Sequence, residues 1–177
     1  MRLDVAERSA RWMVLLGALA CTRQAGAQSV TTDTLSFIDL PGVFVVVTAV
    51  DSAAEAHGLH ADNLRALLEA KFADAGIRLL TEDEWQTTLG NPMAYLDITV
   101  TTLSGFNFLY RLQLELRQMT VLSRDSTIPL FVPTWKSDET MGIVPTSRLA
   151  TLEQYVRVAA DRFIDAFVIA NRGRRRM

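Results

Sequence analysis

Phe106-Asn107-Phe108-Leu109-Tyr110-Arg111-Leu112-Gln113-Leu114-Glu115-Leu116-Arg117 decides the fold. Phe106, Phe108, Tyr110, Leu112, Leu114 and Leu116 recur at every second position. Asn107, Arg111, Gln113, Glu115 and Arg117 fill the gaps, and Leu109 is the exception. Side chains along a strand point alternately to opposite faces, so this stretch predicts a strand with one buried and one wet face. Antiparallel sheets have that pattern. Past Arg117 the apolar phase slips to the odd numbers Met119 and Val121, and a β-bulge near Arg117-Gln118 is expected to absorb the slip.

The neighbouring segments read the same way. Leu96, Ile98 and Val100 alternate with Asp97, Thr99 and Thr101, and Ser104-Gly105 is the turn into the decisive strand. After a turn at Arg124-Asp125-Ser126, Ile128 to Trp135 is extended. Its prolines, Pro129 and Pro133, fall on one side, which marks an edge strand or a partly polyproline path. Residues 137–146 read as a loop. Upstream, VFVVVTAV (43–50) suits a strand buried on both faces. Leu64, Leu67, Leu68 and Phe72 make a helical stripe over 60–75, closed by Gly76. Ile77 to Leu80 predicts a short strand. Thr81-Glu82-Asp83-Glu84 is a capping box that opens a short helix. A final helix over 147–170 presents Leu149, Leu152, Val156, Ala159, Phe163, Ile164 and Phe167 on one stripe.

The order β-α-β-(short α)-β-β-β-α predicts an α+β fold. Two main helices would lie on one face of a mixed, mostly antiparallel sheet of four or five strands, a two-layer sandwich. The first strand, first helix and second strand should form a right-handed crossover.

The ends have a different character. Arg2, Arg8 and Arg11 precede the apolar run Trp12 to Cys21, and Ala25-Gly26-Ala27 follows. A basic start, a short apolar core and a small-x-small site make an export signal. The run is too short for a spanning helix. A lipid box ending at Cys21 competes with cleavage after Ala27. Ala18 and Leu19 fit such a box poorly, so simple cleavage is the reading. The organisation expected is a signal peptide at 1–27, a flexible lead-in at 28–41, one α+β domain at 42–171 and a basic tail at 172–177. No transmembrane segment is expected once the signal is removed. Cys21 is the single cysteine, so the domain is built without disulfides. The formal net charge is −2 with arginine crowded at both ends, which leaves an acidic body. Nucleic acid is therefore not the expected partner.

Candidate chemistry is sparse. His57 and His60 are the only histidines, and they lack a third ligand at fixed spacing, so no metal or other cofactor is expected. Glu82, Asp83 and Glu84 beside Trp85 could perform acid–base work on a cell-wall substrate, but capping already explains them. There is no nucleophile elbow and no phosphate-binding glycine loop. No catalytic residue is assigned. The surface stretch with most binding character is the last extended segment and its exit, where Phe131, Trp135 and Lys136 are the candidate binding residues. Packing of Trp135 beneath the final helix is the competing reading.

Taken together, Leu64 through Gly76-Ile77, Thr81-Glu82-Asp83-Glu84-Trp85, Leu96-x-Ile98-x-Val100, Leu112-x-Leu114-x-Leu116, Thr134-Trp135 and Phe163-Ile164-Asp165-Ala166-Phe167-Val168 resemble a group of small uncharacterised exported bacterial proteins. In layout the chain also resembles two envelope modules. One is the accessory lipoprotein of the outer-membrane lipopolysaccharide-assembly machine; the other is the amino-terminal domain of the Tol–Pal periplasmic protein. The resemblance to these modules implies a protein that plugs into or steadies an assembly. With the export signal and a well-patterned sheet lacking a polar catalytic cluster, the expected function is a periplasmic or secreted, non-enzymatic binding or assembly accessory that offers a sheet edge or open sheet face to an envelope protein. The alternatives are a cell-wall hydrolase using the acids near Trp85, and a small-ligand carrier with an apolar cavity between sheet and helices.

Overall fold

The strand that carries the sequence argument also organises the molecule. The computed structural model describes residues 32–172. The stretch expected to be a signal peptide, with Cys21, and the expected basic tail from Gly173 lie outside the described residues. Strand β3 (Asn107–Leu122) has neighbours along both sides. Strand β2 (Met93–Ser104) runs antiparallel to it, with Leu96 opposite Leu114 and Ile98 opposite Leu112. The far side of β3 is shared end to end. Strand β4 (Asp125–Lys136) covers Glu115 to Leu122, and β5 (Thr140–Pro145) covers Asn107 to Leu112, both antiparallel. Strand β1 (Phe44–Val47) pairs parallel with β2, Val45 opposite Ala94. Among the described residues these five strands form one mixed, mostly antiparallel sheet, and the fold is α+β as the patterning predicts.

Four local features differ from the sequence reading. Residues 77–80 do not form a strand: Leu79 makes a single parallel bridge to Val43, and Gly42 lets that approach happen. A Cβ on Gly42 would stand 2.7 Å from the Arg78 carbonyl oxygen. Residues 140–145 are strand β5 instead of loop, because β3 is longer than β4 and its free half imposes pairing that no local propensity announces. The slip near Arg117 is present, but the extra residue is in β4. Leu116 faces Trp135 and Arg117 faces Pro133, which leaves Thr134 unmatched. The alternation of β3 therefore continues, and Met119 and Val121 stay on the outward face, 41% and 56% exposed. Lastly, β1 is buried on one face only. Val45 and Val47 enter the core while Phe44 and Val46 are half-buried on the other side.

Among the described residues the helices, one short one excepted, cover the face formed by the even-numbered residues of β2 and β3. Helix α1 (Ser52–Glu55) is a single turn capped by the Asp51 carboxylate. Helix α2 (Ala61–Asp74) buries Leu64, Leu68 and Phe72, and ends at Gly76 with φ +73°. The short helix α3 (Glu82–Thr87) opens with the expected capping box and sets Trp85 against Phe44 and Phe131 on the other face. A 3-10 turn (Thr146–Thr151) leads into α4 (Leu152–Asn171), which buries Leu152, Val156 and Phe163. Phe163 meets Phe72 at 4.8 Å, Phe37 at 4.9 Å and Trp135 at 5.4 Å between ring centres. Each fully buried ring contributes about 1.5–3 kcal/mol by burial, and the edge-on contacts of Phe163 with Phe37 and Trp135 add about 0.5–1.5 kcal/mol per pair. Phe37 comes from a 3-10 turn (Thr32–Phe37) in the stretch expected to be a flexible lead-in. It is fully buried, and Asn171 and Gln118 donate to the Phe37 and Ser36 carbonyls at 3.0 Å. The core is filled by these rings and by Leu112, Leu114 and Leu116. Among the described residues no helix is long and apolar enough to cross a membrane.

Candidate functional site

Helices α2 and α4 lie on one side of the sheet, so the odd-numbered residues of β2 and β3 look outward. That face is where side chains can meet something other than this domain. Its middle is polar and closed upon itself. Glu115 is only 3% exposed, although it stands on the uncovered side. Its carboxylate accepts from Arg117 Nε at 2.7 Å and from Lys136 Nζ at 3.0 Å. The Arg117 guanidinium lies 3.7 Å from the centre of the Tyr95 ring, a cation–π contact. One row along, Arg111 donates to Asp97 at 2.6 Å and through Nε to Glu139 at 2.8 Å. The Asp97 hydrogen bond, followed by that of Glu139, raises the Arg111 pKa and fixes its charge. The six ionised groups balance three against three, so the row attracts neither sign over distance.

Apolar surface flanks this neutral row at both ends. At one end Met119 and Phe131 are cross-strand partners, 41% and 40% exposed. Trp85 of α3 stands beside them. It stacks on Phe44 at 5.5 Å, meets Phe131 edge-on at 6.4 Å and donates its indole N–H to the Asn91 carbonyl at 2.7 Å. At the other end Leu109, Met141 and Ile143 are exposed, with Leu109 opposite Ile143.

The candidate binding residues divide between the two faces. Phe131 and Lys136 share the uncovered face, because the bulge at Thr134 restores the same parity on both sides of it. Trp135 faces the helices, half-buried, 5.5 Å from Phe37 and 5.4 Å from Phe163. It is thus not brought together with the other two. Lys136 is engaged with Glu115, a partnership that the separation in sequence hides. Arg111, Glu115 and Arg117 were legible as one row of a strand, but the cross-strand partners Tyr95, Asp97 and Lys136 depend on register.

The acidic trio beside Trp85 is structural in its geometry. Glu84 accepts from the Thr81 N–H at 2.9 Å and pairs with Arg78. That backbone hydrogen bond, with the arginine, holds the Glu84 pKa below the ordinary value. Glu82 and Asp83 are exposed in the first helical turn, where the helix dipole favours them. His57 lies edge-on to Phe108 at 5.9 Å. Among the described residues no three His, Cys, Asp or Glu side chains gather as metal ligands.

No protein-family model matches the chain, and no curated protein matches it detectably in sequence.

Proposed function

We propose that this chain is an exported, non-enzymatic binding or assembly accessory of the bacterial cell envelope, which holds a partner protein against its uncovered sheet face. One observation carries the reading: the sheet face opposite α2 and α4, touched at one end by Trp85 of the short helix α3, bears exposed apolar side chains at Met119, Phe131, Leu109, Met141 and Ile143 around a charge-balanced centre. Exposed apolar surface rimmed by polar groups is the usual make-up of a protein interface. The preordered ion pairs add specificity without net charge, since a partner that buries them must match their pattern. The leader sequence supplies the envelope location. The acid–base alternative loses its motivation where Glu84 serves as a cap, and the carrier alternative where aromatic rings fill the space between sheet and helices.

The test is site-specific photo-crosslinking in living cells, with the photoreactive side chain at Phe131, at Met141, or at Glu153 on α4 as a control. The reading expects one envelope protein attached from Phe131 and Met141 and absent from Glu153, with the attachment lost in F131K. Equal labelling from all three positions, or none from the sheet face, overturns it.

A further inference from the structure

Sheets of this kind have two edges, and this molecule guards them differently. Along β4 and β5, the residues whose backbone groups point away from β3 include Pro129, Pro133 and Pro145, opposite Val121, Arg117 and Asn107. Proline has no N–H, so this edge lacks three of its outward donors, and the charged Lys136 stands between them. Prolines and lysines at such places prevent pairing with another strand.

Among the described residues the other edge has no strand paired to it over part of its length. Strand β1 ends at Val47, opposite Leu96, while β2 runs on to Ser104. The Thr48 hydroxyl completes the last step, accepting from the Ile98 N–H at 2.9 Å and donating to the Ile98 carbonyl at 2.9 Å. Backbone direction alternates along a strand, so the N–H and C=O groups of Val100 and Thr102 point the same way as those of Ile98, and among the described residues no strand lies beyond them. An open groove of about 340 Å³ marks the place, between 48–51 and 97–101. The free segment, Thr99-Val100-Thr101-Thr102-Leu103-Ser104, contains no proline and no charge, and four of its six residues are β-branched. Leu103 at its end is 57% exposed.

We propose that two copies of this chain pair antiparallel through the free end of β2, about a two-fold axis near Val100–Thr102, to make one sheet continuous across both. An uncharged edge offers nothing to select a charged peptide. It is matched by a segment as neutral and β-branched as itself, and every copy carries that segment at the same place. In a two-fold pairing centred at Thr101, Thr101 opposes its own copy and Val100 opposes Thr102, combinations that suit paired strands, and no like charges meet. The contact uses the edge and leaves the uncovered face free, so it stands apart from the envelope partner proposed above.

Sedimentation of the protein isolated from cells, from low micromolar to several hundred micromolar, tests the pairing. Two variants address it. T102P removes an outward N–H without taking a donor from β3, and T101K puts like charges opposite each other on an exposed position. The expected result is a monomer–dimer equilibrium weakened about tenfold or more by each variant, with unchanged circular dichroism. If T102P does not fold, T101K decides alone. A protein that is monomeric throughout the range, or a dimer that both folded variants leave intact, overturns the proposal.

Discussion

The Ser137 hydroxyl accepts the backbone N–H of Leu114 at 3.0 Å, while the Ser137 N–H donates to the Leu114 carbonyl at 2.8 Å. A side-chain oxygen thus stands in for a main-chain carbonyl at the break between β4 and β5, and β3 keeps an unbroken ladder along that side. Gln113 secures the same point by donating to the Ser137 carbonyl at 3.1 Å. Ser137 is 5% exposed, so water does not substitute freely.

Replacing Ser137 by alanine should therefore strand a buried N–H. The expected cost is about 1–3 kcal/mol, read as a lower urea midpoint with an unchanged slope. A loss below a few tenths of a kcal/mol would show that the hydroxyl does not carry the ladder.

Thr48 performs a comparable task at the end of β1. T48V keeps the shape and removes the acceptor for the Ile98 N–H. A loss of about 1–2 kcal/mol is expected, and T48S should recover most of it. Equal stability of T48V and the parent would contradict the assignment.

Glu115 is a nearly buried charge that depends on Arg117 and Lys136. Removing one partner should cost more than removing the set. R117M alone is expected to destabilise by about 2–4 kcal/mol, whereas R117M combined with E115L and K136M should recover most of that loss. Thermal unfolding of the single and triple variants decides between this and simple additivity.

Gly142 makes room for Tyr110. A Cβ there would stand 3.1 Å from the Tyr110 hydroxyl oxygen and 3.2 Å from Cε1. Tyr110 is stacked on Tyr155 at 5.7 Å and has little space to retreat. G142A should cost about 1–3 kcal/mol, and adding Y110F should return part of it by removing the nearest atom. Chemical denaturation of the two variants measures both effects.

Glu84 makes the domain sensitive to acid in a defined direction. Its pKa is lowered in the folded chain from the ordinary 4.5, first by the Thr81 N–H and then by Arg78. The folded state thus prefers the ionised form. The stabilisation is complete above 4.5 and fades as pH falls through the lower folded value. Asp125 behaves alike below its ordinary 3.8, through the Thr127 hydroxyl and N–H. The difference in stability between the parent and E84Q should be largest near neutrality and shrink as pH falls below about 4.5. A difference that stays constant with pH would remove the linkage.

Much of the fold was legible because its signals are local. The alternation from Phe108 to Leu116, the Thr81–Glu84 box and the helical stripes of Leu64 and Phe163 each lie within one element. What was hidden depends on partners. Ile77 to Leu80 has strand composition but finds one bridging residue, and 140–145 looks like a loop until the free half of β3 is known. The candidate face was half legible. Phe131 and Lys136 lie on it, but the bulge at Thr134 turns Trp135 to the opposite side, and a residue inserted in one strand leaves no mark in composition.

The parallel pairing of β1 with β2 has a temporal consequence. Phe44 to Val47 are made long before Met93 to Leu96, and a chain synthesised from its N-terminus has nothing to pair them with in the interval. The β2–β3 and β3–β4 hairpins close within short loops, so they can assemble before β1 docks. Four apolar, mostly β-branched residues thus wait while the rest of the sheet forms, and this waiting period, more than the finished molecule, is when the chain is most exposed to misassociation.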